Sequence, residues 1–169
     1  LRALAGRKYH GKRNHLARFR ELDYTYCEIT EKDYDECIVF CTGSYDRKLH
    51  DSDAETAHSL AAEQFAINTF FMNYEELGLR GGIVRVGGSI AAVTIGDALT
   101  DNCFCTHIEK ADVSCNGIYA GINNLFANSA MEGFELVNRE EDMGIEGLRR
   151  SKLSYHPAFL LDKYTVTFK

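Results

Sequence analysis

Two bursts of charge, each closing a short apolar run, carry the side chains best suited to moving a proton. The first ends the stretch Cys103–Phe104–Cys105–Thr106–His107–Ile108–Glu109–Lys110, and the second is Asn138–Arg139–Glu140–Glu141–Asp142, after Leu136 and Val137. A carboxylate at a strand end facing a cleft is placed to act as a general base, which singles out Glu109, with Asp142 as the other choice. Glu140, Glu141 and Asp142 are expected to raise one another's pKa, so that one stays protonated and serves as an acid. Arg139, Arg149 and Lys152 offer cationic donors for a phosphate or carboxylate, and Asn138, Glu140 and Glu141 complete the substrate-contacting set. Tyr155 is an acid candidate, with a phenol that ordinarily titrates near ~10. His107 precedes Glu109 by two residues, on the same face of a regular strand, where it can orient that carboxylate. Simpler readings stand beside these: a salt bridge from Glu109 to Lys110 or Arg139, an acidic loop paired with Arg149, Arg150 or Lys152, a sheet-bound His107, and a buried Tyr155 beside Pro157.

Metal and triad chemistry find less support. Cys27, Cys37, Cys41, Cys103, Cys105 and Cys115 form no C-x-x-C pair and read as reduced thiols. Cys103, Cys105 and His107 alternate onto one strand face, but a straight strand spreads such side chains ~7 Å apart and cannot wrap a tetrahedral ion. The acidic run has no D-x-D order and no phosphate loop to hold magnesium. No metal is expected, and no G-x-S-x-G elbow supplies a serine nucleophile.

These groups need a scaffold, and 169 residues with one proline and 45% hydrophobic content suit a single domain. No run approaches the ~20 apolar residues of a membrane span and no h-region follows the basic start, so a cytoplasmic protein is expected, at most peripheral to a membrane. Residues 1–20 hold seven Arg/Lys and no acid, while the remainder holds 12 bases against 25 acids. A basic arm on an acidic body suits nucleic acid, through Lys8, Lys12 and Arg13, or an anionic lipid headgroup; the alternative is a solvated connector helix.

Periodicity predicts the order β-α-α-β-β-β-α-β-α-β after that arm. Tyr24–Ile29 reads as a strand, Thr30 with Asp33 as a helix cap, and Ser52 with Glu55 as a capping box. The helix that follows places Ala57, Leu60, Ala61, Phe65, Ile67, Phe71 and Met72 on one broad stripe. Gly87–Gly88 predicts a tight hairpin turn, and Asn116–Gly117 opens a helix over Ile118, Ile122, Leu125 and Phe126. That helix links two strands as a crossover, so the strands at Cys103 and Glu135 are expected to be parallel neighbours. A short helix near Ile145–Ser151 and one or two strands within Phe159–Phe168 close the domain.

This order resembles the GCN5-related N-acetyltransferase (GNAT) fold, an α/β (α+β) architecture with a mixed central sheet and a notch between two splayed parallel strands. Four stretches, Lys8–His15, His107–Ala111, Asn138–Gly144 and Leu148–Pro157, are similar to the bacterial family described as phosphatidylglycerol lysyltransferase, C-terminal-domain-like (DUF2156). The resemblance implies an acyltransferase that moves an aminoacyl group from aminoacyl-tRNA to a lipid or another hydroxyl or amine acceptor. It also implies a tandem pair of such folds, with residues 1–20 as the connector, 21–169 as the second half, and a preceding half in the same longer chain. In acetyltransferases of this fold a Q/R-x-x-G-x-G/A turn holds pyrophosphate; here Asp112–Tyr119 has one glycine and no arginine, so acyl-CoA is not the expected cofactor. An acyl-CoA-dependent N-acetyltransferase is the runner-up, and a non-catalytic module binding RNA or an anionic membrane is the reading from another class.

Overall fold

Glycine sets the first turn of the sheet. In the computed structural model, which describes residues 1–43, 53–164 and 166–168, Gly87 and Gly88 join β2 (Arg80–Val86) to β3 (Ser89–Thr100) with φ of 58° and 85°. That left-handed pair is what a two-residue hairpin turn of the I′ type needs. β4 (Cys103–Ala111) continues the antiparallel meander, and β1 (Tyr24–Glu28) covers the far edge of β2. β5 (Leu136–Asn138) lies parallel to β4, giving the order β1-β2-β3-β4-β5, as the crossover predicts.

Helices cover both faces. On one, α1 (His10–Phe19) and α4 (Ile118–Asn128) bury Leu16, Phe19, Ile118 and Ile122 against Val84 and Ala92. Gly121 makes this packing feasible, since a Cβ there would stand 2.3 Å from Phe19 Cγ. The basic arm is therefore packed into the body of the protein. On the other face, α2 (Tyr34–Thr42) and α3 (Ala54–Met72) set Cys37, Cys41, Ile67 and Phe71 on Ile83, Val93, Ile95 and Ile108. A short helix, α5 (Glu146–Leu153), follows β5.

Thr30 N and Oγ1 both donate to Asp33 Oδ2, so the cap before α2 forms as expected. The Ser52–Glu55 box lies outside the described residues, and Asp53 caps α3 by accepting from Thr56 N. The stripe on α3 is narrower than expected: Ile67 and Phe71 are buried, but Phe65 and Met72 are 73% and 81% exposed. Leu60, Ile67 and Phe71 follow the 3–4 spacing of one face, and Phe65 and Met72 sit about 100° around the helix from Gln64 and Phe71. The closing strand also differs. The described residues of Phe159–Phe168 pair with no strand, and Leu160, Leu161, Tyr164, Val166 and Phe168 are exposed; strand propensity by itself does not make a ladder.

Two irregularities position the chemistry. The β4–β5 ladder spans only Cys103–Cys105 against Leu136–Asn138, so β4 runs on past its parallel neighbour and the two open as a fork. Within β4, Ile108 pairs with Ile95 but Thr106 pairs with Gly96, leaving His107 as a surplus residue. Such a bulge reverses the alternation of side chains. Beyond it Ile108 joins the core under α2 and α3 and Lys110 pairs with Glu63 of α3, while Glu109 bonds Asn123 of α4 and Ala111 packs with the α1/α4 core.

Candidate active site at the β4/β5 fork

Glu109 stands where β4 leaves its neighbour. Its Oε1 accepts from Arg139 Nη2 at 3.0 Å and its Oε2 from Asn123 Nδ2 at 3.0 Å. Both side chains of the ion pair are sheltered, 13% exposed for Glu109 and 18% for Arg139. Arg139 Nη1, by contrast, is buried and has no hydrogen-bond partner among the described residues. One guanidinium nitrogen thus holds the carboxylate and another remains as an unsatisfied donor, a costly state for a buried group.

Tyr155 floors this site. Lys12 Nζ lies 3.9 Å and Arg139 Cζ 4.7 Å from its ring centroid, both within cation–π range. Burial pushes the phenol up to about 12, so it is a firmly protonated group. Lys12 and Lys152 are both lowered, first by burial and then by the Arg139 charge. Lys152 Nζ donates to the carbonyls of Arg139 and Glu141, which ties α5 to the turn after β5. Lys12, Arg139 and Lys152 make a cationic corner around the carboxylate of Glu109.

The acidic run behaves differently from expectation. Each carboxylate meets a cation: Glu140 meets His107, Glu141 meets Lys163, and Asp142 meets Arg149. Arg149 drives Asp142 down to about 2, and His107 lowers Glu140. Nearby opposite charge outweighs mutual repulsion at these two, so neither Glu140 nor Asp142 is held protonated as an acid, and Asp142 is a weak base. Asn138 Oδ1 accepts from Glu140 N and shapes the turn. Arg150 pairs with Glu146 on the outer side of α5.

His107 and Glu109 do not share a face, because the bulge falls between them. The His107 ring stacks on Phe70 of α3, with centroids 5.4 Å apart, while Glu109 points to α4. His107 Nε2 lies 3.1 Å from Asp97 Oδ1 and Nδ1 lies 2.8 Å from Glu140 Oε1. Cys105 Sγ is 3.8 Å from both His107 Nδ1 and Glu140 Oε1. Cys105, Glu140 and Asp97 together raise His107 to about 10. The expected separation of a strand's side chains is thus overcome at this point, and the third member comes from the turn after β5. Arg139 and Glu140, adjacent in sequence, straddle β4 and reach one group on each of its faces.

Of the residues assigned to nucleic acid, Lys12 belongs to the fork. Arg13 donates to the carbonyls of Leu4 and Gly6, and Lys8 lies near the Tyr9 ring. Among the described residues no helix is long and apolar enough to cross a membrane.

A family model described as "Phosphatidylglycerol lysyltransferase, C-terminal" matches residues 1–167. The chain belongs to this family. A solved relative of the lysyltransferase C-terminal domain, a conserved protein of unknown function from Bacteroides thetaiotaomicron VPI-5482, is 42% identical over 94% of this chain, with a TM-score of 0.85. The chain spans 53% of that protein's length. The C-terminal domain (DUF2156) of a candidate lysylphosphatidylglycerol synthetase from Agrobacterium fabrum is 15% identical, with 91% of this chain and 53% of that one covered and a TM-score of 0.57. A ribosomal-protein-alanine N-acetyltransferase from Brucella melitensis biovar Abortus 2308 is 13% identical, with 86% and 99% covered and a TM-score of 0.56. At such identities the likeness is one of fold, and it establishes the GNAT-like architecture of this chain. No curated protein matches the chain.

Asn123, Asp97 and Cys105 escaped the sequence reading as site residues. Asn123 had a signal, since with Asn124 it interrupts the apolar run of its helix, and it is 2% exposed. Asp97 had none, and Cys105, weighed with His107 as a metal ligand, was set aside because a straight strand spreads such side chains too far apart.

Proposed function

We propose that this acyltransferase-type domain transfers an aminoacyl group from a charged RNA end to a hydroxyl or amine acceptor, with a lipid headgroup as the leading acceptor, at the open end of the β4/β5 fork. The observation that carries this reading is the split guanidinium of Arg139, with one nitrogen on Glu109 and a buried one without a partner. Glu109 takes the proton of the acceptor as its oxygen or nitrogen attacks the ester carbonyl. Arg139 Nη1 donates to the oxyanion that forms, the interaction that favours the transition state over the ground state. When the tetrahedral centre collapses, the carbon–oxygen bond to the ribose breaks, and the Tyr155 hydroxyl supplies the proton that the leaving oxygen takes. Tyr155 is suited to this because burial keeps it protonated through the neutral range. Lys12 and Lys152 supply charge for the phosphates of the donor or the headgroup.

Coenzyme A has less room. His15 O and Phe19 N of α1 crowd Gly117 at the start of α4, at 2.1 Å and 3.1 Å from where a Cβ would sit. In acetyltransferases of this fold the corresponding helix N-terminus holds pyrophosphate.

The test uses a pool of tRNA charged with labelled amino acids, vesicles containing phosphatidylglycerol, and the protein. Label entering the chloroform phase, with Glu109→Gln reducing the rate at least ~100-fold, supports the proposal. Free thiol released from acetyl-CoA at a comparable rate, with no lipid labelling, overturns it.

A further inference from the structure

We propose that Cys105, His107 and Glu140 form a site for one divalent transition-metal cation of the zinc class, with three protein ligands and one open position. This site lies on the α3 face of β4, across the strand from Glu109, and stands independently of the transferase reading.

The donor atoms are already gathered. Cys105 Sγ, His107 Nδ1 and Glu140 Oε1 all lie within 4.8 Å of one another, at 3.8, 3.8 and 2.8 Å pairwise. Zinc bonds of about 2.3 Å to sulfur and 2.0–2.2 Å to nitrogen and oxygen, at tetrahedral angles, require edges of roughly 3.3–3.6 Å. Adjustments of about half an ångström, within the reach of side-chain rotation, bring the three donors to those edges.

The surroundings are those of a metal-binding histidine. His107 Nε2 faces Asp97 Oδ1 at 3.1 Å, a carboxylate partner that fixes the tautomer with its lone pair on Nδ1, toward the cluster. Phe70 stacks on the ring and holds its plane. Cys105 is 3% exposed, and a thiolate in the set selects zinc, cobalt or copper over magnesium or calcium. Glu140 is carried on a left-handed backbone, φ 52°, by a turn closed from Glu140 N to Asn138 Oδ1. In the chain without metal, the cation at this position is the imidazolium proton shared with Glu140. A metal ion takes that place and releases the proton of Nδ1 together with that of the thiol.

The test is metal titration of the whole chain after chelator treatment, first with Zn²⁺ and then with Co²⁺. The expected result is one equivalent per chain and a cobalt spectrum with a near-ultraviolet thiolate charge-transfer band and strong tetrahedral d–d bands. Cys105→Ser should remove the charge-transfer band, Asp97→Asn should weaken affinity about 10-fold, and Cys103→Ser should leave both unchanged. If Cys105→Ser does not fold by circular dichroism, Glu140→Gln, a change at a partly exposed turn, serves in its place and should lower affinity at least ~10-fold. A folded wild-type chain that binds no zinc at micromolar free metal overturns the proposal. So does a cobalt complex lacking the thiolate band, or binding unaffected by both the cysteine and the glutamate substitution.

Discussion

Arg139 Nη2 lies 3.0 Å from Glu109 Oε1, so the turn after β5 is pinned to the stretch of β4 that has no parallel neighbour. The pair closes the base of the fork, a sheltered carboxylate–guanidinium contact that leaves a spare donor on Arg139 among the described residues. Removing one partner of a sheltered pair leaves the other charge uncompensated, so Arg139→Ala should destabilise the fold by about 3 kcal/mol in urea unfolding. Arg139→Lys should recover much of that stability but not the transfer rate, because an ammonium cannot present two nitrogens in a fixed fork. Equal loss of rate and stability in both variants would show a structural pair only.

Tyr155 separates packing from proton donation. Tyr155→Phe keeps the ring beneath Lys12 and Arg139 and should leave the thermal midpoint nearly unchanged, while lowering turnover about 10- to 100-fold. Tyr155→Ala should lose both. Since burial pushes the phenol up to about 12, wild-type turnover should show no alkaline fall from Tyr155 below that pH. A fall with a midpoint near the ordinary phenol value, absent in Tyr155→Phe, would contradict the assignment.

Asp142 offers a clean sign. Its carboxyl is held below the ordinary 3.8, at about 2, by Arg149 and by Gly144 N. A depressed folded pKa contributes stability that is present above the unfolded value and is lost as pH falls through the folded one. Carbon-detected NMR should place the Asp142 titration near 2, and Arg149→Gln should return it to the ordinary carboxylate range. No movement in that variant would mean the pair is not formed in solution.

Close packing of α1 on α4 rests on an absent side chain. In an exposed helix Gly→Ala stabilises by about 1 kcal/mol, but at Gly121 the new methyl meets the Phe19 ring. Gly121→Ala should therefore destabilise, by about 1–3 kcal/mol, with the Leu16–Phe19 amides losing hydrogen-exchange protection first. A rise in the thermal midpoint would show that the helices are not in contact.

Cys37 and Cys41 lie on the buried face of α2 and are pushed well above the ordinary thiol range by burial, Cys41 to about 12. Ellman's reagent should modify the exposed Cys27 in the native protein, and these two only as fast as it unfolds. Their rapid labelling in folded protein would refute the core described for this face.

Element order and topology were legible in the sequence because they rest on local signals. The Gly87–Gly88 turn, the Thr30–Asp33 cap and the amphipathic Ile118–Phe126 helix each declare themselves within a few residues, and the crossover rule then orients β5. The Glu109–Arg139 ion pair was legible for the same reason, as charges at the ends of apolar runs. Cys105 and His107 were legible as neighbours on one face of β4, but their partnership with Glu140 was not, because it depends on the path of the turn after β5. The pairing of Asp142 with Arg149 was among the simpler readings of the acidic run, but that of Glu141 with Lys163 was not, since Lys163 reaches back from a segment read as a closing strand. The terminal Phe159–Phe168 stretch shows the converse: alternation of apolar and polar residues was present, yet its described residues join no ladder.

The surplus residue at His107 turns one strand into a partition between two chambers. On a flat ladder, histidine and glutamate two positions apart would crowd each other and compete for the same neighbours; here a single thickness of peptide insulates them, and the consecutive residues Arg139 and Glu140 grip the partition from both sides. Had β4 kept a regular alternation through His107, the strand would send Glu109 into the greasy layer beneath α3 and turn Ile108 toward the polar hollow, so that the same letters would spell a surface with its inside turned out.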